Sequence, residues 1–251
     1  MGRQPPHLLV PSVSEVKRVG HKGADSIAPG NTPASFDAAL AAGVDMVEFD
    51  VLPEDWRQPA TTRLVLAHDY VRELSDASTL AEGLAHLSAA AFEDVELDVD
   101  LKVKGYEHRV VDALREYGLI ERTLISTHYK ESLETLRALE PRLRLGWSVP
   151  RIRRDYTKSR LWIAPALCAL AVVKRALPRR AVKALMSGHC DALMVHYRLV
   201  TPALVRAVGD AGGELYVWTV DDAATIRAMD VLGVTGVITN DPRLFGALTA
   251  S

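Results

Sequence analysis

The chain has 251 residues, enough for one large domain or two small ones, and 48% of them are hydrophobic, so it can bury a sizeable core. Charged residues make up 25% and the formal net charge is −2, which gives no reason to expect a nucleic acid as partner. Two cysteines, Cys168 and Cys190, are too few for a disulfide scaffold, and we expect a reducing, cytoplasmic compartment.

The first part of the chain alternates between strand and helix patterns. Thr32 can cap a helix that Pro33 opens, and Gly43 is a natural residue just past its end. The N-terminal residues are rich in proline and lack the apolar stretch of a secretory signal. In chain order we predict a flexible arm at 1–15, strands at 16–21, 46–52 and 64–67, and helices at 33–42 and 76–91.

The same alternation continues to the end of the chain, which favours βα units and a parallel sheet. We predict strands at 95–103, 123–127, 143–149, 192–196, 215–220 and 236–239, and helices at 106–117, 130–139, 160–186, 201–212 and 223–229. The longest apolar run, 161–173, is shorter than the about 20 residues of a spanning helix, so we expect no transmembrane segment.

Nine strands fit a closed barrel of eight if 64–67 is a small extra strand beside the second. The rival is an open doubly wound sheet, but no Gly-x-Gly-x-x-Gly turn follows the first strand. We therefore predict a (β/α)8 TIM barrel that forms a single domain over residues 16–251. Functional side chains should then lie at the carboxyl ends of its strands.

Carboxylates occur on two of the predicted strands at a spacing of two residues. Glu48 and Asp50 project from one face of a strand whose neighbours are apolar, and Asp98 and Asp100 repeat the spacing together with Lys102. Like charges on a buried face repel unless a cation lies between them. Oxygen ligands suit Mg²⁺, Ca²⁺ or Mn²⁺, so Glu48 and Asp50 are candidate metal ligands.

Two histidines follow predicted strands and form a candidate acid–base pair. His21 comes after the first strand, and His68 comes after the short run at 64–67. With an ordinary pKa near 6.5, an imidazole can both give and take a proton at neutral pH. The sequence leaves open which histidine is the acid and which is the base.

These motifs together resemble the signature of the glycerophosphodiester phosphodiesterase family. The family pattern is His-Arg-Gly, Glu-Asn-Thr, Glu-x-Asp and His-Asp in that order, followed by marks on later strands. The resemblance implies a TIM barrel that uses a divalent metal to hydrolyse a small glycerophosphodiester to an alcohol and glycerol 3-phosphate. The matching segments here are His21–Gly23, Gly30–Thr32, Glu48–Asp50, His68–Asp69, Asp98–Lys102, Val217–Val220 and Gly236–Pro242.

The resemblance also implies roles for individual residues, with three departures from the pattern. Asp100 takes the position of the third metal ligand but stands where the family has Glu, Lys22 replaces Arg, and Gly30 replaces Glu. The implied sets are His21 and His68 for acid–base catalysis, Glu48, Asp50 and Asp100 for the metal, and Lys22, Asn31, Lys102 and Trp218 for phosphate and substrate.

A segment at 151–180 leaves a second function open. Basic flanks bracket its apolar run, so it can be a barrel helix with charged ends or a helix that touches anionic lipid. Peripheral membrane contact would favour a lysophospholipase D that acts on lysophospholipids. A third alternative is a barrel that has lost catalysis and only binds a phosphate ligand. The head group, the metal and the oligomeric state stay open.

Overall fold

The computed structural model describes residues 16–70, 74–150 and 163–248, except for the side chains of 163–170 and 247–248. Within this part, the strands form one nine-stranded sheet that closes on itself, because the first strand pairs with both the second and the last. The strands are β1 (Lys17–Gly20), β2 (Met46–Pro53), β3 (Leu64–Leu66), β4 (Glu96–Leu101), β5 (Thr123–Thr127), β6 (Arg144–Val149), β7 (Ala192–His196), β8 (Glu214–Trp218) and β9 (Gly236–Thr239).

The strand β3 is the extra one. It pairs antiparallel with the end of β2, while all other neighbours in the sheet are parallel. Removing it from the nine leaves a closed barrel of eight parallel strands with helices between them. The predicted (β/α)8 TIM barrel is confirmed, and so is the position of the extra strand.

Seven helices cover the described part of the barrel. They are α1 (Pro33–Ala41), α2 (Leu80–Leu87), α3 (Glu107–Glu116), α4 (Lys130–Leu139), α5 (Ile163–Met186), α6 (Pro202–Asp210) and α7 (Ala223–Leu232). The predicted helix at 76–91 is shorter than expected because Thr79 starts it: its hydroxyl accepts from the Glu82 amide at 3.1 Å, and the Glu82 carboxylate accepts from the Thr79 amide at 2.7 Å.

The side-chain alternation of β2 divides the core into two layers. Val47, Phe49 and Val51 point outward into the large apolar cluster under the helices, where Phe49 packs against Phe36 of α1 with ring centroids 5.6 Å apart. Met46 points into the barrel and belongs to a smaller inner cluster. Because strand side chains alternate, the next two inward positions above Met46 are those of the two acids predicted to bind metal.

Two of the predicted segments lie outside the described residues. These are the N-terminal arm at 1–15 and the basic flank at 151–162. Within the described helices, none combines the length and the apolar character needed to cross a membrane.

Candidate active site

Three carboxylates converge inside the barrel at the carboxyl ends of two strands. Glu48 and Asp50 on β2 lie beside Asp98 and Asp100 on β4, because the parallel register pairs Glu48 with Asp98 and Asp50 with Asp100. One oxygen each from Glu48, Asp50 and Asp100 lies within 4.8 Å of the other two. These are the three residues that the sequence predicted as metal ligands.

Lys102 supplies the positive charge that this cluster needs. Its Nζ lies 2.5 Å from Asp50 Oδ1 and 2.5 Å from Asp100 Oδ2. Burial opposes the charged form of Lys102, but Asp100, Asp50 and Glu48 raise its pKa well above the usual range. Burial likewise acts to raise the pKa of Asp50, yet Lys102 and the nearby imidazoles hold it below the ordinary value.

The remaining carboxylates are less well compensated. Burial, the nearby Asp50 and the other two acids raise the pKa of Glu48 well above its ordinary value, because Lys102 offsets only part of their effect. Asp98 Oδ1 and Asp100 Oδ1 are buried without a hydrogen-bond partner, and Asp50 Oδ1 meets Lys102 without the geometry of a hydrogen bond. Buried oxygens without partners are rare in folded proteins. Two of these oxygens belong to Asp50 and Asp100 of the triad, and their position and chemistry fit a hard divalent cation.

Asn31 connects the loop after β1 to β2, the strand that carries two of the candidate metal ligands. Its amide nitrogen donates to Asp50 Oδ2 at 2.9 Å, and its carbonyl accepts from the Asp50 backbone amide at 3.0 Å. The Asn31 backbone has a φ of 60°, which asparagine tolerates better than most residues. Asn31 therefore orients a candidate ligand, while its predicted contact with substrate stays a prediction.

The two departures at Lys22 and Gly30 are connected through Asp25. The Lys22 Nζ lies 3.5 Å from Asp25 Oδ2, and Asp25 Oδ1 accepts from the Gly30 amide at 3.0 Å. A Cβ added at Gly30 would come within 2.5 Å of Asp25 Oδ1. The carboxylate of Asp25 thus fills the space beside residue 30, where the family pattern has a glutamate.

His21 is held in one tautomer by Asn240 and Asp221, neither of which is among the predicted site residues. Asn240 donates through Nδ2 to Asp221 Oδ2 at 2.7 Å, so its Oδ1 faces His21 Nδ1 at 2.5 Å. An ionised aspartate oxygen only accepts hydrogen bonds, so the Asn240 group that faces Asp221 must be its NH₂. The Asn240 group that faces His21 is then the carbonyl oxygen, and Nδ1 of His21 must donate to it. The Nε2 lone pair is then free, 3.8 Å from Glu48 Oε2. Asn240 directly follows β9, the neighbour of β1, and this position at the carboxyl end of a strand is the signal that could have revealed it.

Burial also sets the charge of His21. Desolvation lowers its pKa below 6.5, and this effect exceeds the opposing attraction of Asp50 and the hydrogen bond to Asn240. His68 differs, because its side chain is about half exposed and its Nδ1 lies 3.2 Å from Asp69 Oδ2. His21 is therefore a buried, neutral imidazole, whereas the imidazole of His68 is accessible.

A cavity of about 260 Å³ brings these groups together, and an open groove of about 620 Å³ adjoins it. His68 lines both spaces, whereas Lys22 and Asn31 line the groove. Trp218 lies in the cavity wall with its ring edge-on to His196, the centroids 5.2 Å apart. The cavity is also lined by His21, Glu48, Asp98, Asp100, Lys102 and Ser126.

Asp98 makes a testable contribution to stability in metal-free protein. Burial, reinforced by Asp100, raises its pKa to about 8, so above pH 3.8 the folded chain keeps a proton that the unfolded chain releases. Stability should therefore fall as pH rises toward 8, by up to about 1.4 kcal/mol per pH unit. Asp98→Asn mimics the protonated acid and should remove this slope, giving the more stable protein at pH 8 in urea titrations with EDTA. If the free energy of unfolding fell equally with pH in wild type and in Asp98→Asn, this prediction would be wrong.

The fold and the site define a class of barrel enzymes, those that gather carboxylates and imidazoles in a cavity at the carboxyl ends of their strands. The sequence profile of the glycerophosphoryl diester phosphodiesterase family matches residues 21–79 and 98–244. The chain belongs to this family, as its motifs indicated.

Individual relatives agree over nearly the whole chain. A protein of Caldanaerobacter subterraneus subsp. tengcongensis named glycerophosphodiester phosphodiesterase is 26% identical and covers 89% of this chain and 93% of its own length. A crystal structure of a glycerophosphodiester phosphodiesterase from Parabacteroides distasonis has a TM-score of 0.71 at 18% identity, over 93% and 96% of the two chains. An Oleispira antarctica phosphodiesterase, solved with the product sn-glycerol-3-phosphate, has a TM-score of 0.67 at 19% identity, over 94% and 98%.

Proposed function

We propose that this protein hydrolyses glycerophosphodiesters to an alcohol and glycerol 3-phosphate with the help of a divalent cation. The observation that carries the proposal is the buried triad of Glu48, Asp50 and Asp100, whose oxygens lie within 4.8 Å of one another beside a cavity whose lining includes His21 and His68. Family membership and the names of the relatives support the same substrate class.

Glu48, Asp50 and Asp100 would hold the cation, and all three are oxygen donors of the kind that Mg²⁺, Ca²⁺ and Mn²⁺ prefer. When bound, such an ion polarises phosphoryl oxygens and lowers the pKa of a coordinated hydroxyl group. Asn31 keeps Asp50 in place through two hydrogen bonds. Lys102 and Lys22 supply positive charge for the phosphate, and Trp218 provides an apolar wall.

The two histidines divide the proton transfers. His21 is buried and neutral, and its Nδ1 is committed to Asn240, so its Nε2 can accept a proton from the attacking water or substrate hydroxyl. His68 lines both the cavity and the groove, and this accessible position supports a role at the departure of the leaving alcohol. We assign His21 as the general base and His68 as the general acid that protonates the leaving oxygen.

The test is release of glycerol 3-phosphate from glycerophosphocholine, with EDTA and then with added Mg²⁺, Ca²⁺ or Mn²⁺. We expect turnover that EDTA removes and at least one of these ions restores. Turnover unaffected by EDTA would refute the metal requirement. Binding of glycerol 3-phosphate without any turnover would instead support the barrel that only binds a phosphate ligand.

A lysophospholipase D is the second candidate, and a specific feature of α5 favours it. The described side chains of this helix include Lys174, Arg175, Arg179, Arg180 and Lys183, and the helix contains no acidic residue. A cationic helix can hold the enzyme at a surface of anionic lipid. Turnover of lysophosphatidylcholine but not of glycerophosphocholine, measured in the same assay, would decide for this candidate.

A further inference from the structure

The outer face of α5 carries a continuous stripe of exposed side chains. It consists of Val172, Arg175, Arg179, Lys183 and Met186, which follow one another at spacings of three or four residues. On an α-helix such spacing places all five within a sector of about 80°. Val172 and Met186 at the two ends are 67% and 73% exposed, although both are apolar.

The opposite face of the same helix is buried. Leu177, Ala181 and Ala184 belong to the main apolar core, and Arg180 at the edge stacks on the Trp147 ring, 5.6 Å from its centroid. This anchoring fixes the rotation of the helix, so the stripe must face away from the barrel. The stripe is therefore a stable surface feature, and its orientation does not depend on the conformation of a loop.

The three cations of the stripe have no acidic partner within the described part of the chain. Among the ion pairs of the described residues, none involves Arg175, Arg179 or Lys183. Since the whole chain has a formal net charge of −2, this local cationic patch stands out against a slightly acidic molecule. The patch can attract an anionic surface that approaches the outer face of α5.

The direction of α5 places its first turns near the cavity. In this fold the helix runs back along the barrel from the carboxyl end of its strand, so it begins at the end where the cavity lies. The helix has 24 residues, about 36 Å. The sequence of its first turns, from Ile163 to Val172, contains no charged residue.

We propose that the outer face of α5 docks on a bilayer that contains anionic lipid. Cations flanked by exposed apolar side chains are typical of a helix that lies in the membrane interface, where lysine and arginine meet the head groups and apolar groups enter the acyl boundary. A nucleic acid would attract the cations but gives Val172 and Met186 nothing to bury against. Docking itself does not depend on the proposed function. Only its consequence rests on that function, namely that the cavity is brought beside phosphodiester lipids.

Vesicle binding tests the proposal without any substrate. The full-length protein is floated with vesicles of equal parts phosphatidylserine and phosphatidylcholine, and with vesicles of phosphatidylcholine alone. We expect binding to the anionic vesicles only, and weaker binding when salt rises from about 0.1 M to about 1 M, since the Debye length then falls from about 10 Å to about 3 Å. The triple variant Arg175→Gln, Arg179→Gln, Lys183→Gln should bind these vesicles about 100-fold more weakly.

A matched control removes the same charge from elsewhere on the surface. Arg57, Lys104 and Arg206 are exposed outside α5, and their combined change to glutamine should leave vesicle binding within about twofold of wild type. The double variant Val172→Asn, Met186→Asn should weaken the binding that persists at high salt. Equal loss in the control and the stripe variant would overturn the proposal, as would no binding at all.

Two further measurements keep the outcomes distinct. Turnover of glycerophosphocholine in the absence of vesicles should be the same for the stripe variant and wild type, so a failed proposed function and a failed docking surface give different results. A duplex DNA competitor should not displace the protein from vesicles at equal phosphate concentration. Displacement by DNA through the stripe, with no effect of the asparagine changes, would assign this face to nucleic acid instead.

Discussion

Changing His68 to glutamine is expected to lower kcat by about 10² to 10⁴-fold for a glycerophosphodiester whose leaving group is an alkanol. The loss should be much smaller for an ester of 4-nitrophenol, because a weakly basic leaving group departs without protonation. The reason is the proposed role of His68, which lines both the cavity and the groove, as the acid that protonates the departing alcohol. Steady-state rates on the two esters measure the difference.

His21→Gln provides the contrasting variant, since a general base is needed whatever the leaving group. We expect a similar loss on both esters, with the cavity and the fold intact. Because burial lowers the pKa of His21, wild-type kcat/KM should decline only when the pH falls below 6.5. His86→Gln, which alters a surface histidine paired with Asp37, is the matched control and should change neither rate. Equal leaving-group sensitivity in the two site variants would refute the division of roles.

Asp50→Asn is expected to weaken divalent-cation binding by more than about 100-fold and to remove turnover at low metal concentration. The reasoning is that loss of an outer hydrogen-bond partner of a metal ligand already costs about 10 to 100-fold in affinity, so loss of a ligand charge should cost more. Asp50 is fully buried, and its low pKa keeps it ionised in the folded protein. Calorimetric titration with Ca²⁺ and Mn²⁺ measures the affinity directly.

Asn31→Gly is the control for that experiment. It removes both side-chain hydrogen bonds to Asp50 but suits the backbone φ of 60° at this position. We expect an affinity between those of wild type and Asp50→Asn, and turnover that returns at high metal concentration. An unchanged affinity in Asp50→Asn would remove Asp50 from the ligand set.

Sequence periodicity was sufficient to predict the barrel. The alternation along β2 separates Val47, Phe49 and Val51 from Glu48 and Asp50, and it follows from the strand geometry alone. The length of α2 was not predictable in the same way. Its start depends on the reciprocal hydrogen bonds between Thr79 and Glu82. The Thr-x-x-Glu spacing indicates such a start, but the helical periodicity, which continues past it, does not.

The candidate site was predicted where one strand or one motif carries its residues, and it was incomplete where contacts join distant segments. Asn240 supports His21 across 219 positions of sequence, and this contact exists because the barrel closes β9 against β1. The part played by Asp25 beside Gly30 depends on a close approach within a loop. Neither contact produces a periodic pattern in the sequence, so the three-dimensional structure was needed to find them.

The ammonium of Lys102 occupies the space between Asp50 and Asp100, so the protein carries its own internal counter-ion. If a divalent ion loads this site, as we propose, its binding would be an exchange in which the arriving cation displaces a tethered one that is always present at high local concentration. In metal-free protein, Lys102 would still offset part of the charge of these acids. Such an exchange would make occupancy respond to ambient ion concentration over a higher range than three bare carboxylates would give.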